Sequence, residues 1–314
     1  MKITILDKIS FTIGDLDLSS LDNLGNVEYY DVLSKEEVAK ALTNTDIVVC
    51  NKTVFDKDLI DKCKKLKYIG VTATGYNNVD VVYARKKSIT VCNVPAYSTV
   101  DVAEHVFAFL FHYAKRIYEY DETVKNGDWI KSKTFCYFDK PVMELNGKTM
   151  GIIGYGSIGK RVADIASALG MKVLIYSRTK KESPYNFVSK ETLFSESDFI
   201  SLHCPLTEDT KLLINEETLS FMKPTAVLIN TSRGGVIDEY ALANALNQGK
   251  LKHALLDVLT VEPMQKDCPL IGVKKVTFTP HIAWAPVECR QRLIEIVAKN
   301  ITAFISGTPQ NVVN

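Results

Sequence analysis

The sequence predicts an α/β protein built from doubly wound parallel sheets, and three observations carry that prediction. Residues 148–181 read KTMGIIGYGSIGKRVADIASALGMKVLIYSRTKK: an apolar run, a glycine turn, a helical pattern and a second apolar run. Residues 1–98 alternate short apolar runs with segments of helical spacing. Beyond the glycine-rich stretch the alternation resumes, and each apolar run ends in a polar cluster. Short, fully apolar strands separated by helices are the pattern of parallel sheets covered on both faces.

Within the first stretch, 149–153 has the length of a buried strand, and Gly154, Gly156 and Gly159 follow it as G-x-G-x-x-G. Ile158, Val162, Ile165 and Ala166 recur at helical spacing until Gly170 supplies a stop. Alone, the glycine spacing is a weak signal that a glycine-rich turn would also give. Flanked by strand, helix and strand within one βαβ unit, it predicts a dinucleotide site. Gly154 permits the tight turn, Gly156 lets a pyrophosphate approach the backbone, and Gly159 lets helix and strand pack closely. The helix N-terminus offers unpaired N–H groups to the phosphates.

The second strand of this unit ends in Ser177, Arg178 and Thr179, followed by Lys180 and Lys181, with no acid before Glu182. Sites for NAD usually place Asp or Glu here to hold the ribose 2′-hydroxyl, whereas an Arg accommodates a 2′-phosphate. NADPH is therefore expected to be accepted, and a preference for it is the stronger form of the same expectation. The alternative is that Arg178 stacks on adenine or faces solvent.

The 314 residues are 46% hydrophobic and 24% charged, with a formal net charge of +1. This fits a globular chain of two domains and gives no electrostatic reason to expect nucleic acid or an anionic membrane as partner. No apolar run approaches the ~20 residues of a membrane span. The start, MKITILDKIS, is too brief an apolar run for a signal peptide, so the cytoplasm is the expected location. Seven scattered cysteines, odd in number and without C-x-x-C, argue against disulfides and structural zinc; no metal site is expected.

Two polar segments stand at strand ends in the first part of the chain: Asn51, Lys52 and Thr53, and the run 72–78 with Ala73, Thr74 and Gly75. Ligands of doubly wound sheets bind beyond the carboxyl ends of strands, which makes Lys52, Ala73, Thr74 and Gly75 candidates for substrate binding. Turn chemistry alone would also account for Gly75 and the paired asparagines after it. Residues 99–119 read as one long, largely apolar helix, with His105 and His112 on one face as structural histidines rather than a metal pair. The aromatic-rich stretch 121–145, with Trp129, Phe135, Tyr137 and Phe138, is expected to make a subunit contact. A helix from Pro286 to about 305 is expected to return to the first domain.

In the second half, the strand-end clusters are His203-Cys204-Pro205, Asn230-Thr231-Ser232-Arg233-Gly234, Asp257 and Pro280-His281. They supply what hydride reduction of a 2-oxo acid requires: a cation for the carboxylate or carbonyl, and an acid for the developing alkoxide. Arg233 offers a bidentate fork. His281 is the best placed acid, and Glu262 on the preceding loop could orient its imidazole. A surface ion pair at Arg233 and a plain turn at Glu262-Pro263 are the competing readings, and His203 is read as structural.

The segments ATGYNNVD (73–80), NVPAYSTVDVAEHVFAFL (93–110), GIIGYGSIGKRVA (151–163), DFISLHCPLTEDT (198–210), LINTSRGGVIDEYALANAL (228–246), LLDVLTVEP (255–263) and TPHIAWAPVECRQRL (279–293) resemble, in order, the D-2-hydroxyacid dehydrogenase family across essentially the whole chain. The resemblance implies a flavodoxin-like substrate domain from both chain ends, 1–98 plus 286–314. Between them, 99–285 would form an inserted Rossmann NAD(P)-binding domain that also makes most of a homodimer contact. It implies a catalytic trio of Arg233, Glu262 and His281. Cofactor contacts would fall on Ser157, Ile158, Ser177, Pro205, Thr231, Arg233 and Asp257, with Thr179 and Ser232 beside them. The substrate carboxylate would sit on backbone amides near Thr74 and Gly75. Within the family the motifs look most like the branch that reduces hydroxypyruvate or glyoxylate to D-glycerate or glycolate. A sibling acting on lactate, a branched 2-oxo acid or phosphoglycerate is the first alternative, and a corepressor-like NAD(H)-sensing module the second.

Overall fold

The computed structural model describes residues 1–179 and 181–314; Lys180, in the basic run considered above, lies outside the described residues. The chain divides into two units, Met1–Ser98 with Trp284–Asn314, and Thr99–Ala283.

In the first unit the apolar runs become strands β1 (Lys2–Ile5), β2 (Asn26–Tyr29), β3 (Ile47–Cys50), β4 (Tyr68–Val71) and β5 (Thr90–Cys92). All pair in parallel, in the order β2-β1-β3-β4-β5. Successive residues of β3 point to opposite faces: Ile47 and Val49 enter one core, Val48 and Cys50 the other. Helices cover both faces, so a strand here must be apolar throughout rather than alternating. The helix Val287–Ile305 closes one face, placing Cys289, Leu293, Ile294, Val297 and Ile301 against Ile3, Ile5 and Tyr68.

The second unit holds β6 (Thr149–Ile153), β7 (Lys172–Tyr176), β8 (Asn186–Phe187), β9 (Phe199–Leu202), β10 (Val227–Asn230), β11 (His253–Leu256) and β12 (Val276–Phe278). They form one parallel sheet in the order β12-β11-β10-β9-β6-β7-β8. The order reverses between β6 and β9, so the glycine turn after β6 and the His203 cluster after β9 flank the switch point, where such sheets bind ligands. Helix Ser157–Ala168 buries Val162, Ala163 and Ala166, and Gly170 at φ +75° ends that segment. Both sheets are the doubly wound parallel sheets that the sequence predicts.

One element departs from expectation. The single helix expected over 99–119 is two helices, Thr99–Lys115 and Ile117–Lys125, broken at Arg116, whose φ is +52°. Ala103, Val106, Phe107 and Leu110 of the first pack into the core, while the second buries nothing. The chain turns where sheet cover ends. The Arg116 guanidinium holds the break through Glu119 (2.9 Å) and the Pro141 carbonyl (3.2 Å). The stretch 121–145 then contains the second helix and a short 3-10 turn, Trp129–Lys131. It leaves Phe135 91% and Phe138 79% exposed. None of the seven cysteines is in a disulfide, and five are buried. Burial pushes the Cys63 and Cys204 thiols up to about 11. No group of His, Cys, Asp and Glu that could hold a metal occurs among the described residues.

Candidate active site

The glycine turn has the geometry a dinucleotide needs. Gly154 sits at φ +95°, and a Cβ there would stand 2.6 Å from the His203 carbonyl oxygen. A Cβ on Gly159 would stand 2.1 Å from the Gly154 oxygen, so the helix lies directly against the turn. At Gly156 a Cβ would meet nothing within 4 Å, which leaves the backbone open to an approaching group. Gly156 is also the N-cap of helix Ser157–Ala168 and provides no side chain to cap it, so Ser157 and Ile158 open a bare N-terminus. Further along the same sheet edge, the buried Thr231 hydroxyl has no hydrogen-bond partner among the described residues. A buried hydroxyl left unpaired is costly. The open glycine and the orphan hydroxyl together fit a bound dinucleotide.

At the end of β7, Tyr176 accepts the Gly154 N–H, and Ser177 follows. Arg178 and Asp209 pair at 3.3 Å, both largely exposed at 82% and 75%. After β9, His203 Nε2 and the Ser201 hydroxyl lie 2.8 Å apart. Burial lowers the pKa of this histidine to about 3, which keeps the ring neutral. Pro205 accepts the Thr210 hydroxyl through its carbonyl at 2.6 Å.

β10, β11 and β12 are neighbours in register, with Asn230 opposite Leu256 and Leu256 opposite Phe278. The segments that follow them therefore emerge side by side. After β10, the buried Asn230 organises the loop: its oxygen accepts the Ser232 N–H and hydroxyl, and its amide donates to the Arg233 carbonyl. The Arg233 guanidinium donates back to the Ser232 carbonyl at 2.7 Å. Gly234 lies against the next loop so closely that a Cβ would stand 1.8 Å from the Leu259 carbonyl carbon.

His281 and Glu262 meet. His281 Nδ1 and Glu262 Oε2 are 2.6 Å apart, and the Leu259 N–H donates to Glu262 Oε1 at 3.0 Å. A carboxylate only accepts, so Nδ1 carries the donated hydrogen and Nε2 is the ring nitrogen left for chemistry. Both side chains are 29% exposed, which leaves the pair reachable. His281 itself has φ +57°, a left-handed conformation that costs a non-glycine residue about 1–2 kcal/mol. Asp257 stands behind that turn: its carbonyl accepts the His281 N–H at 2.8 Å, and its carboxylate accepts the N–H groups of Ile282 and Ala283. The Asp257 side chain is 1% exposed and faces the 279–283 turn.

In the first unit, the amides of Asn51, Lys52 and Thr53 all donate to the Asp7 carboxylate at 2.9–3.0 Å, and the Lys52 side chain is exposed. The Thr74 hydroxyl donates to the Val94 carbonyl, Asn93 donates to the Thr74 carbonyl, and Val94 N–H donates to the Ala73 carbonyl. Among the described residues, no hydrogen bond uses the amides of Thr74 and Gly75. That leaves two N–H donors available to an anion.

Sequence reasoning missed Asp7, Asn230 as the loop organiser, and Thr279, whose hydroxyl donates to Asp257 at 2.5 Å. Their only signal was position at or just beyond a strand end. His105, read as structural, hydrogen-bonds Thr279 at 2.9 Å.

The switch-point cradle and the strand-end residues define a nicotinamide-dependent oxidoreductase. Comparison with known proteins sharpens the class. The family described as D-isomer specific 2-hydroxyacid dehydrogenase, NAD binding domain, matches residues 107–283. A hydroxypyruvate reductase of Blautia hydrogenotrophica is 43% identical, with 100% of both chains covered. A glycerate dehydrogenase of Methylorubrum extorquens is 42% identical, over 91% of each chain. Among solved structures, an acyclic imino acid reductase in complex with NADPH and D-Arg is 37% identical, with a TM-score of 0.89 and 100% of both chains covered. The chain belongs to the D-isomer specific 2-hydroxyacid dehydrogenases.

Proposed function

We propose that this dehydrogenase reduces hydroxypyruvate, and glyoxylate with it, to the D-2-hydroxy acid. The observation that carries the reading is the His281–Glu262 pair at 2.6 Å beside the Arg233 loop. It is supported by two relatives above 40% identity that are named for hydroxypyruvate and glycerate. The bound nicotinamide would supply the hydride. Gly154, Gly156, Ser157, Ile158 and Gly159 would take its pyrophosphate, with Ser177, Arg178, Thr179, Pro205, Thr231 and Ser232 along its length.

The chain's own residues do the rest. To the substrate carboxylate we assign the Thr74 and Gly75 amides, with Ala73 and Lys52 as the further first-unit candidates. Arg233 polarises the C2 carbonyl. His281 gives the Nε2 proton to the oxygen as charge develops there, and Glu262 stabilises the imidazolium that this requires.

NADPH use is supported by the lack of an acid at the end of β7 and by Arg178, whose partner Asp209 is as exposed as it is and can be displaced by a 2′-phosphate. The test is steady-state oxidation of NADPH and of NADH with hydroxypyruvate, glyoxylate and pyruvate. Hydroxypyruvate is expected to turn over fastest, with NADPH at least as good as NADH. No turnover of any of the three, with cofactor still bound, would sink the substrate reading. A specificity constant at least tenfold better with NADH would sink the preference. The likeness to the imino acid reductase favours a second reading, reduction of a C=N bond, which would appear as turnover only when an amine accompanies the 2-oxo acid.

The exposed aromatics of 121–145 support a homodimer, because that much apolar surface is seldom left in water. Light scattering is expected to give twice the chain mass, and a monomer would remove the proposal. No helix among the described residues is long and apolar enough to cross a membrane. The scattered cysteines without C-x-x-C, the pattern of reduced thiols, support our reading of a cytoplasmic enzyme.

A further inference from the structure

The geometry points to His105 and Thr279 as positioning residues that act through Asp257 to hold His281 in its left-handed turn. This rests on the proposed role of His281 as proton donor. The chain of donors runs in a single direction. Asp257 Oδ1 accepts the Thr279 hydroxyl at 2.5 Å. That hydroxyl has one hydrogen, already committed to a carboxylate. The 2.9 Å contact from Thr279 Oγ1 to His105 Nε2 must then be a bond that His105 donates. His105 is therefore the Nε2–H form. Burial lowers its pKa against the opposing pull of Asp257, which favours the neutral ring. An edge contact with Phe109, with ring centroids 4.6 Å apart, fixes the plane of the imidazole.

The consequence lies at the other carboxylate contacts. Asp257 Oδ1 also accepts the Ile282 N–H at 2.8 Å, Oδ2 accepts the Ala283 N–H at 2.9 Å, and the Asp257 carbonyl accepts the His281 N–H at 2.8 Å. One buried aspartate thus binds three consecutive amides, those of 281, 282 and 283. Without a fixed carboxylate, no other acceptor among the described residues holds the amides of Ile282 and Ala283. The left-handed φ of His281 would then relax, and the imidazole would leave the Glu262 oxygen. Thr279 fixes the same Oδ1 that accepts the Ile282 N–H, and His105 fixes Thr279 in turn. The helix Thr99–Lys115 is in this way tied to the chemistry.

The test is a double-mutant cycle on the full-length enzyme. Thr279→Val keeps the side-chain volume and removes the hydroxyl; His105→Leu removes the donor; Thr279→Ser and His105→Gln each keep one. Thr279→Val and His105→Leu are expected to lower kcat by about 10- to 100-fold, the range that a small misplacement of a reacting group produces. The dissociation constants of NADH and NADPH, read by fluorescence titration, should stay within about threefold. Thr279→Ser and His105→Gln should recover most of the loss. In a His281→Ala background, Thr279→Val should cost nothing further.

Full additivity with His281→Ala, or cofactor affinity falling in step with kcat, would overturn the positioning role while leaving the proton-donor reading intact. Near-normal turnover in His281→Ala alone would remove both. A readout independent of turnover is the nitrogen NMR of His105, expected in the Nε2–H form; the Nδ1–H form would overturn the donor direction even if every variant folded poorly.

Discussion

Substituting His281 with Ala lowers kcat for the 2-oxo acid by at least ~10²–10⁴-fold, the usual worth of a positioned acid–base group. It does so with cofactor affinity close to that of the parent. The reason is in the geometry. Glu262 takes the Nδ1 hydrogen at 2.6 Å and is itself held by the Leu259 amide at 3.0 Å, so the imidazole has one orientation and one free nitrogen. Alanine leaves no group that can deliver a proton at that place, and water arriving instead is neither oriented nor acidic enough to replace it. Steady-state kinetics with a parallel cofactor titration measures the effect. A near-normal turnover would retire the proposed mechanism.

Gly234→Ala gives the second large effect, on stability and on activity together. A Cβ at Gly234 would lie 1.8 Å from the Leu259 carbonyl carbon, 2.0 Å from its oxygen and 2.3 Å from the Thr260 nitrogen. All three are backbone atoms, so no side-chain rotation relieves the contact, and the loops after β10 and β11 have to part. Overpacking of this kind costs roughly 1–3 kcal/mol, visible as a lower urea midpoint. Parting the loops also moves Arg233 away from the segment that carries Glu262, so kcat/KM of the folded enzyme should fall by about 10²-fold. Gly235→Ala is the contrast: its Cβ would meet only the end of Leu206, at 3.1 Å. A parental midpoint and kcat/KM in Gly234→Ala would show that the close approach is not required.

Much of this could be read in advance because the relevant signals are local. The fully apolar runs at 47–50 and 68–71 can only be strands covered on both faces, and G-x-G-x-x-G between strand and helix fixes the dinucleotide turn. The break at Arg116 could not be read. Apolar spacing continues across it, and a left-handed arginine has no sequence mark; the helix turns there because the sheet no longer covers it. The Asp209 partner of Arg178 was equally hidden, since the pair spans two separate loops.

By itself the sequence determined the two parallel sheets, the glycine turn, and the residue types that stand at strand ends, because strand period, helix period and turn chemistry are written within a few residues of one another. Only the tertiary structure decided which of those strand-end residues touch. His105 and Thr279 are separated by 174 positions, and Thr279 and Asp257 by 22. Their meeting depends on β11 and β12 lying side by side in parallel register, and on the helix Thr99–Lys115 packing into the same unit. Hydrogen bonds reach only about 3 Å. A network of them therefore exists only after the fold has brought distant segments together, and no local pattern in the chain encodes it.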